Sequence, residues 1–162
     1  MSRQNTVEPG QQTGQVRKVC VMDEAVAGTG RTGGGGTCSL MLADDDETNR
    51  DIVRLFLGGL RGLELTEVAE GRAALSQCLT RRFDIIILDF RLPIIGGDRI
   101  ARHLRSSSNP NSATPIVMST AMSRDEAASI LAHCPHDGFL PKPFTRDELI
   151  SVVCKERGLV PE

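Results

Sequence analysis

From residue 39 onward the apolar positions of this chain switch repeatedly between two rhythms. Leu40-Met41-Leu42-Ala43 is a short apolar run that ends in three acids. Ile52, Val53, Phe56 and Leu60 then recur at the spacing of one helix face, and Gly58-Gly59 marks the stop. Leu63 to Val68 alternates as a strand does, and Ala73, Ala74, Leu75, Cys78 and Leu79 form the next helical stripe. Ile85-Ile86-Ile87-Leu88 is continuous, the mark of a strand buried on both faces. Ile100, Ala101 and Leu104 give a helix, and the Ser/Asn/Pro-rich stretch from Ser106 to Thr114 a loop. Pro115 to Ser119 reads as a strand and Arg124 to Ala132 as a helix. Gly138 to Leu140 is a short strand and Thr145 to Cys154 the last helix.

The pattern is a strand and a helix repeated five times. Such alternation implies a parallel sheet covered on both faces by right-handed crossovers. Ligands of these sheets bind beyond the carboxyl ends of the strands. The residues that follow each apolar run are therefore the candidates for chemistry.

Residues 1–37 depart from this pattern and read as a flexible N-terminal extension. Within them Val16 to Glu24 has the look of a stray strand. Gly28, Gly30 and Gly33 match G-x-G-x-x-G, but more glycines follow where that motif needs a helix to aim N–H groups at phosphate. A dinucleotide site is not expected there. Asp23-Glu24 lacks a following helix and reads as tail. The folded domain is placed at 38–158, with 159–162 as a short C-terminal tail.

Composition narrows the function. Of 162 residues 40% are apolar, enough for a packed core, and the formal net charge is −2. That balance gives no electrostatic case for nucleic acid. No apolar run approaches the roughly 18 residues of a membrane span, and the first residues carry no secretory signal, so a cytoplasmic location is expected. The five cysteines, Cys20, Cys38, Cys78, Cys134 and Cys154, include no C-x-x-C pair and read as scattered thiols.

At the strand ends stand Asp44, Asp45 and Asp46, then Asp89, then Thr120, then Lys142. Carboxylates gathered at one sheet edge repel one another and call for a cation. Hard oxygen ligands suit Mg²⁺, which commonly also binds a phosphate oxygen. Lys142 supplies a point charge suited to a phosphoryl group, and Thr120 a hydroxyl that donates to it. The set suits phosphoryl transfer to a carboxylate, forming an acyl phosphate.

Four stretches then resemble one family, the receiver domains of two-component response regulators. They are Leu42 to Arg50, Ile87 to Pro93 with Gly96-Gly97, Pro115 to Ala121, and Phe139 to Phe144. The resemblance covers about Thr37 to Arg157. It implies a flavodoxin-like, doubly wound (βα)5 fold of the α/β class, with a five-stranded parallel sheet in the order 2-1-3-4-5. It implies Asp89 as phosphoacceptor, and Mg²⁺ held by Asp44, Asp45, Asp89 and the backbone carbonyl of Arg91. Thr120 and Lys142 would contact the phosphoryl group, with Thr120 and Phe139 as the switch pair and a cis Lys142–Pro143 bond. Asp46 reads as a loop or capping residue rather than a metal ligand, and Ser123 competes with Thr120 to cap the helix that follows. The implied partners are a histidine kinase or histidine phosphotransfer protein and a downstream effector protein, with no nucleic acid and no membrane. The chain is expected to be monomeric or to dimerise on phosphorylation. It is expected to act as a single domain, without a DNA-binding output, and not as a turnover enzyme.

Two positions depart from the family's usual choices. Arg91 lies two beyond Asp89, and Met122 two beyond Thr120. Neither accepts a proton from water, so a long-lived phosphorylated form is expected. Two other classes stay in view. A phosphatase of the haloacid dehalogenase type would carry D-x-D after the first strand, where this chain has adjacent acids. A receiver-like interaction module that takes no phosphate would not need the full set of Asp44, Asp45, Asp89, Thr120 and Lys142.

Overall fold

The computed structural model describes residues 15–18 and 37–156. Cys20, Asp23-Glu24, the glycine-rich stretch and residues 159–162 lie outside the described residues. The elements in chain order are β1 (Gln15–Lys18), β2 (Cys38–Ala43), α1 (Glu47–Leu57), β3 (Leu63–Val68), α2 (Gly71–Thr80), β4 (Ile85–Asp89), α3 (Gly97–Ser106), β5 (Ile116–Thr120), α4 (Arg124–Leu131), β6 (Gly138–Pro141) and α5 (Arg146–Glu156).

The sheet order is β1-β3-β2-β4-β5-β6. Strands β2 to β6 are parallel and, counted from β2, follow the expected order 2-1-3-4-5. β1 is an addition. It pairs antiparallel with β3, from Gln15 opposite Glu67 to Lys18 opposite Glu64. Four residues of the stretch read as a flexible extension therefore belong to the sheet. Of the apolar stretch from Val16 to Glu24, Val16 to Lys18 lie in this strand, and the rest lies outside the described residues.

The continuous apolar runs follow from a sheet covered on both sides. Successive side chains of a strand point to opposite faces. Met41, Ala43, Ile86, Leu88, Ile116 and Met118 face one layer, with Ala74, Cys78, Ile100, Leu104 and Leu131 of the helices. Leu40, Leu42, Leu63, Leu65, Ile85, Ile87, Val117 and Leu140 face the other, with Val53, Leu57, Leu149 and Val153. Each fully buried Leu or Ile stabilises the fold by roughly 1.5–3 kcal/mol. Among the described residues no cysteine is joined in a disulfide, and burial pushes the Cys78 thiol up to about 12.

Chain reversals rest on side-chain hydrogen bonds. Asp46 caps α1 by accepting from the Thr48 N–H at 2.8 Å. Ser123 and Glu126 form a reciprocal capping box at α4, which leaves Thr120 free of that duty. In the loop after α3, buried Asn111 donates to the carbonyls of Cys78 and Arg81 and accepts from the Phe83 N–H and the Thr114 hydroxyl. That one amide fastens α2, the α2–β4 connection and the loop to one another.

Candidate functional site

Two backbone arrangements set the shape of the carboxyl edge. β2 ends at Ala43, so Asp44 and Asp45 emerge just past the sheet, and the Asp44 N–H still donates to the Val68 carbonyl at 3.1 Å. β4 ends on Asp89 itself, opposite Ser119 of β5. The following loop doubles back so closely that a Cβ on Gly97 would meet the Asp89 carbonyl oxygen at 2.3 Å. A Cβ on Gly96 would meet chiefly the movable Asp98 side chain, so Gly97 is the glycine this loop requires. Within the loop the Ile95 N–H donates to Pro93 across Ile94, whose φ of 70° is strained for a β-branched residue.

Asp44 is 2% exposed and Asp89 7%, while Asp45 is exposed to solvent. One carboxylate oxygen from each of Asp44, Asp45 and Asp89 lies within 4.8 Å of the others. Lys142 reaches into this group. Its Nζ is 2.6 Å from Asp44 Oδ2 and 2.5 Å from Asp89 Oδ2. The other oxygen of Asp89 accepts from the Arg91 N–H at 2.9 Å, and that of Asp44 from the Asp46 N–H at 3.0 Å. Lys142 is itself positioned by its backbone N–H, which donates to the Thr120 carbonyl at 2.8 Å. The Lys142–Pro143 bond is cis.

Burial pushes the Asp89 carboxyl above its ordinary range, against the pull of the Lys142 hydrogen bond and the Arg91 N–H. Burial draws the Lys142 ammonium down, but its hydrogen bonds to Asp44 and Asp89 and their charges win and hold it above the ordinary lysine range. The proton therefore stays on Lys142. Three carboxylates against one ammonium leave two negative charges unmatched, the charge of one divalent cation. Three hard oxygen donors converging at the mouth of a solvent-open cleft fit Mg²⁺, which keeps several waters when bound.

The cleft itself, about 620 Å³, is lined by Asp45, Asp89, Arg91, Thr120 and Lys142 among others. Thr120 is buried, and its Oγ1 accepts from the Met122 N–H at 3.2 Å, so the hydroxyl keeps its own proton to donate. The structure thus gathers Asp44, Asp45, Asp89, Arg91, Thr120 and Lys142. Phe139 is not among them. It is half-buried on β6 and lines a separate groove beneath α4, with Ala127, Leu131 and His136.

The cleft also holds residues that sequence reasoning passed over. Asn49, Glu126 and Ile130 line it, and Arg50 donates to the Asp44 carbonyl at 2.7 Å. Asn49 and Arg50 lie on the first turn of α1, directly after the acids, and that adjacency was the available clue.

This geometry has counterparts. The family model of the response regulator receiver domain matches residues 40–154. The chain belongs to the receiver domains of response regulators. It is 30% identical over 113 residues to the sensory transduction protein RegX3 of Mycobacterium tuberculosis, covering 70% of this chain and 48% of that protein. It is 32% identical over 114 residues to the response regulator MprA of Mycolicibacterium vanbaalenii, covering 69% and 47%. This receiver chain thus spans about half the length of those relatives. Among solved structures it is similar to the receiver domain of the sensor histidine kinase PA1611 of Pseudomonas aeruginosa, which has a magnesium ion coordinated in its active site cleft. The TM-score is 0.69 at 28% identity, covering 76% of this chain and 99% of that one. The chemotaxis response regulator CheY4 of Vibrio cholerae gives a TM-score of 0.67 at 28% identity, covering 74% and 98%. Among the described residues no helix is long and apolar enough to cross a membrane.

Proposed function

We propose that this receiver is a phosphoacceptor module of a two-component or phosphorelay system, with Asp89 as the residue that takes the phosphoryl group. The observation that carries this reading is the Lys142 ammonium held between Asp44 and Asp89, beside exposed Asp45 and the Thr120 hydroxyl in one open cleft. The donor is a phosphohistidine of a histidine kinase or phosphotransfer protein. An Asp89 carboxylate oxygen attacks phosphorus, the O–P bond forms, and the P–N bond to imidazole breaks with its electron pair staying on nitrogen.

Asp44, Asp45, Asp89 and the Arg91 carbonyl would hold Mg²⁺, which when bound neutralises charge on the phosphoryl oxygens. The chain's own residues supply the rest. The Arg91 N–H fixes one Asp89 oxygen and leaves the other to Lys142. Lys142 offers its charge to a phosphoryl oxygen, and Thr120 donates a hydrogen bond to another. Transfer of this kind rests on positioning and charge rather than on covalent help.

The chain stores a phosphoryl group and does not turn substrate over. The phosphorylated state is read by an effector protein through differential binding, with Thr120 and Phe139 as the coupled pair, and not through nucleic acid, given a net charge of −2. We place it in the cytoplasm, where such donors act.

Intact mass after incubation with Mg²⁺ and acetyl phosphate tests the reading. One phosphoryl adduct on the wild type and none on Asp89→Asn is the expected result. A folded, Mg²⁺-binding chain that acquires no adduct from acetyl phosphate or from a phosphohistidine donor would instead be a phosphate-independent interaction module.

A further inference from the structure

Two arginines of α1 stand one turn apart, and both reach the carboxyl end of the sheet. Arg54 holds Glu67 of β3 with its fork. Its Nε lies 3.1 Å from Oε2 and its Nη2 2.9 Å from Oε1. Glu67 is 7% exposed, a buried acid in a strand that the phosphoryl chemistry does not use, and this bidentate pair accounts for its burial. Arg50 is half-buried and donates from Nη1 to the Asp44 carbonyl at 2.7 Å.

The two contacts fit one spacing. α1 joins the parallel strands β2 and β3, so it runs back against their direction. From Arg54 to Arg50 the helix covers about 6 Å. Glu67 lies opposite Leu42, and from Leu42 to Asp44 the chain advances about 6.6 Å. The Arg54–Glu67 pair therefore sets α1 at the height where Arg50 meets Asp44.

What Arg50 holds is a peptide plane. The Asp44 carbonyl belongs to the rigid unit that joins Asp44 to Asp45. Asp44 is fixed by other bonds as well. Its N–H donates to Val68, and its carboxylate takes the Asp46 N–H and the Lys142 ammonium. Asp45 is exposed, and among the described residues no hydrogen bond or ion pair fixes its carboxylate. The direction in which Asp45 leaves the backbone is set by the peptide before it.

We propose that Arg50 is a positioning residue for the metal site. It orients the Asp44–Asp45 peptide so that both carboxylates serve one cation, and the Arg54–Glu67 pair holds it in place. The inference rests on the reading of Asp44 and Asp45 as Mg²⁺ ligands. Its sign separates it from a plain charge effect. A guanidinium beside three carboxylates opposes a divalent cation, so removing a bystander Arg50 tightens Mg²⁺ binding. Removing a positioning Arg50 frees the peptide and weakens binding despite the lost repulsion.

Calorimetric Mg²⁺ titration of the full chain, Arg50→Met and Arg50→Lys tests it. Arg50→Met is expected to bind Mg²⁺ about ten-fold more weakly, as loss of a group that orients a ligand does. Arg50→Lys keeps the charge and one donor for the carbonyl, and should recover part of the loss. A second readout needs neither metal nor phosphoryl donor. In metal-free Arg50→Met the Asp46 N–H, which donates to Asp44 in the same turn, should exchange faster, while amides of β4 and β5 keep their protection. Acceptance from acetyl phosphate should recover at saturating Mg²⁺, because Arg50 acts through the metal ligands. Equal or tighter Mg²⁺ binding by Arg50→Met would overturn this inference and leave the phosphoacceptor reading standing. A wild type that binds no Mg²⁺ would overturn both. If the wild type binds Mg²⁺ yet takes no phosphoryl group, the phosphoacceptor reading falls, and weaker binding by Arg50→Met still supports the role of Arg50.

Discussion

Lys142 carries two opposed roles in this cleft. Its ammonium screens Asp44 and Asp89 from each other, and it occupies the same carboxylates that a divalent cation would use. Replacing it by Met removes a positive charge from beside the metal ligands, so Mg²⁺ binding should tighten, about ten-fold or 1.4 kcal/mol. Phosphoryl acceptance should be lost in the same variant. Calorimetric Mg²⁺ titration and intact mass read the two effects separately; weaker Mg²⁺ binding would mean that Lys142 orders the ligands rather than competing with the ion. Met122 bears on the reverse step. It lines the cleft, and its thioether gives water no partner for in-line attack. Met122→Gln supplies an amide there and should shorten the lifetime of the phosphorylated form about ten-fold, equivalent to 1.4 kcal/mol on the barrier. The decay of the mass adduct measures it, and an unchanged rate would place the control of water elsewhere.

Elements were legible where one physical cause dominates. The runs at 40–43 and 85–88 face helices on both sides, and the stripes on α1, α2 and α3 face one, so periodicity alone placed them. Asn111 shows what periodicity leaves out. It sits in a stretch that reads as loop, yet it is fully buried and its amide joins α2, the α2–β4 connection and its own loop. Nothing in the local pattern separates it from Asn109, because its partners lie about 30 residues away. Asn111→Ala leaves the Phe83 N–H and two carbonyls unpaired in the core and should destabilise the fold by about 3 kcal/mol or more. Denaturant unfolding at unchanged slope would show it. The helix starts carry a pH signature. Hydrogen bonds from Ser123 lower the Glu126 carboxyl, and those from Thr145 lower Glu148. A carboxyl lowered in the fold contributes stability that is present above the ordinary glutamate range and is lost as pH falls through its folded value. Protection of the first-turn amides of α4 and α5, relative to their intrinsic exchange rates, should therefore fall below about pH 4.5, and Ser123→Ala should remove that dependence at α4 alone.

At the scale of the whole molecule the cleft exists because parallel strands deliver their carboxyl ends to one edge. Asp44, Asp89, Thr120 and Lys142 come from segments up to 98 positions apart in the numbering, and only the sheet order brings them together. Their spacing along the chain was readable. The bridging posture of Lys142 was not, since it depends on distances of 2.5 and 2.6 Å across two loops. Nor was the antiparallel β1, whose place is fixed by what β3 lacks rather than by what residues 15–18 contain. Delivering three carboxylates to one place has a global consequence. The native state carries a concentrated negative charge that the unfolded chain spreads out, and Mg²⁺ bound there would relieve it only in the native state. Linkage then requires that Mg²⁺ stabilise the whole domain, by about 2.7 kcal/mol at a hundred-fold excess over its Kd. For a domain of this size that raises the unfolding midpoint by several degrees, on the order of 5–10 °C. Asp45→Asn removes an exposed ligand without leaving a buried gap, so it should weaken this shift while changing the metal-free midpoint little, or raising it, because one repelling charge is gone. Calcium should act more weakly than Mg²⁺ if three carboxylates at the cleft mouth are too few for its six to eight oxygens. Thermal scans of both chains against each cation decide it: a midpoint that ignores Mg²⁺ in the wild type would mean that the acidic edge is screened by Lys142 alone.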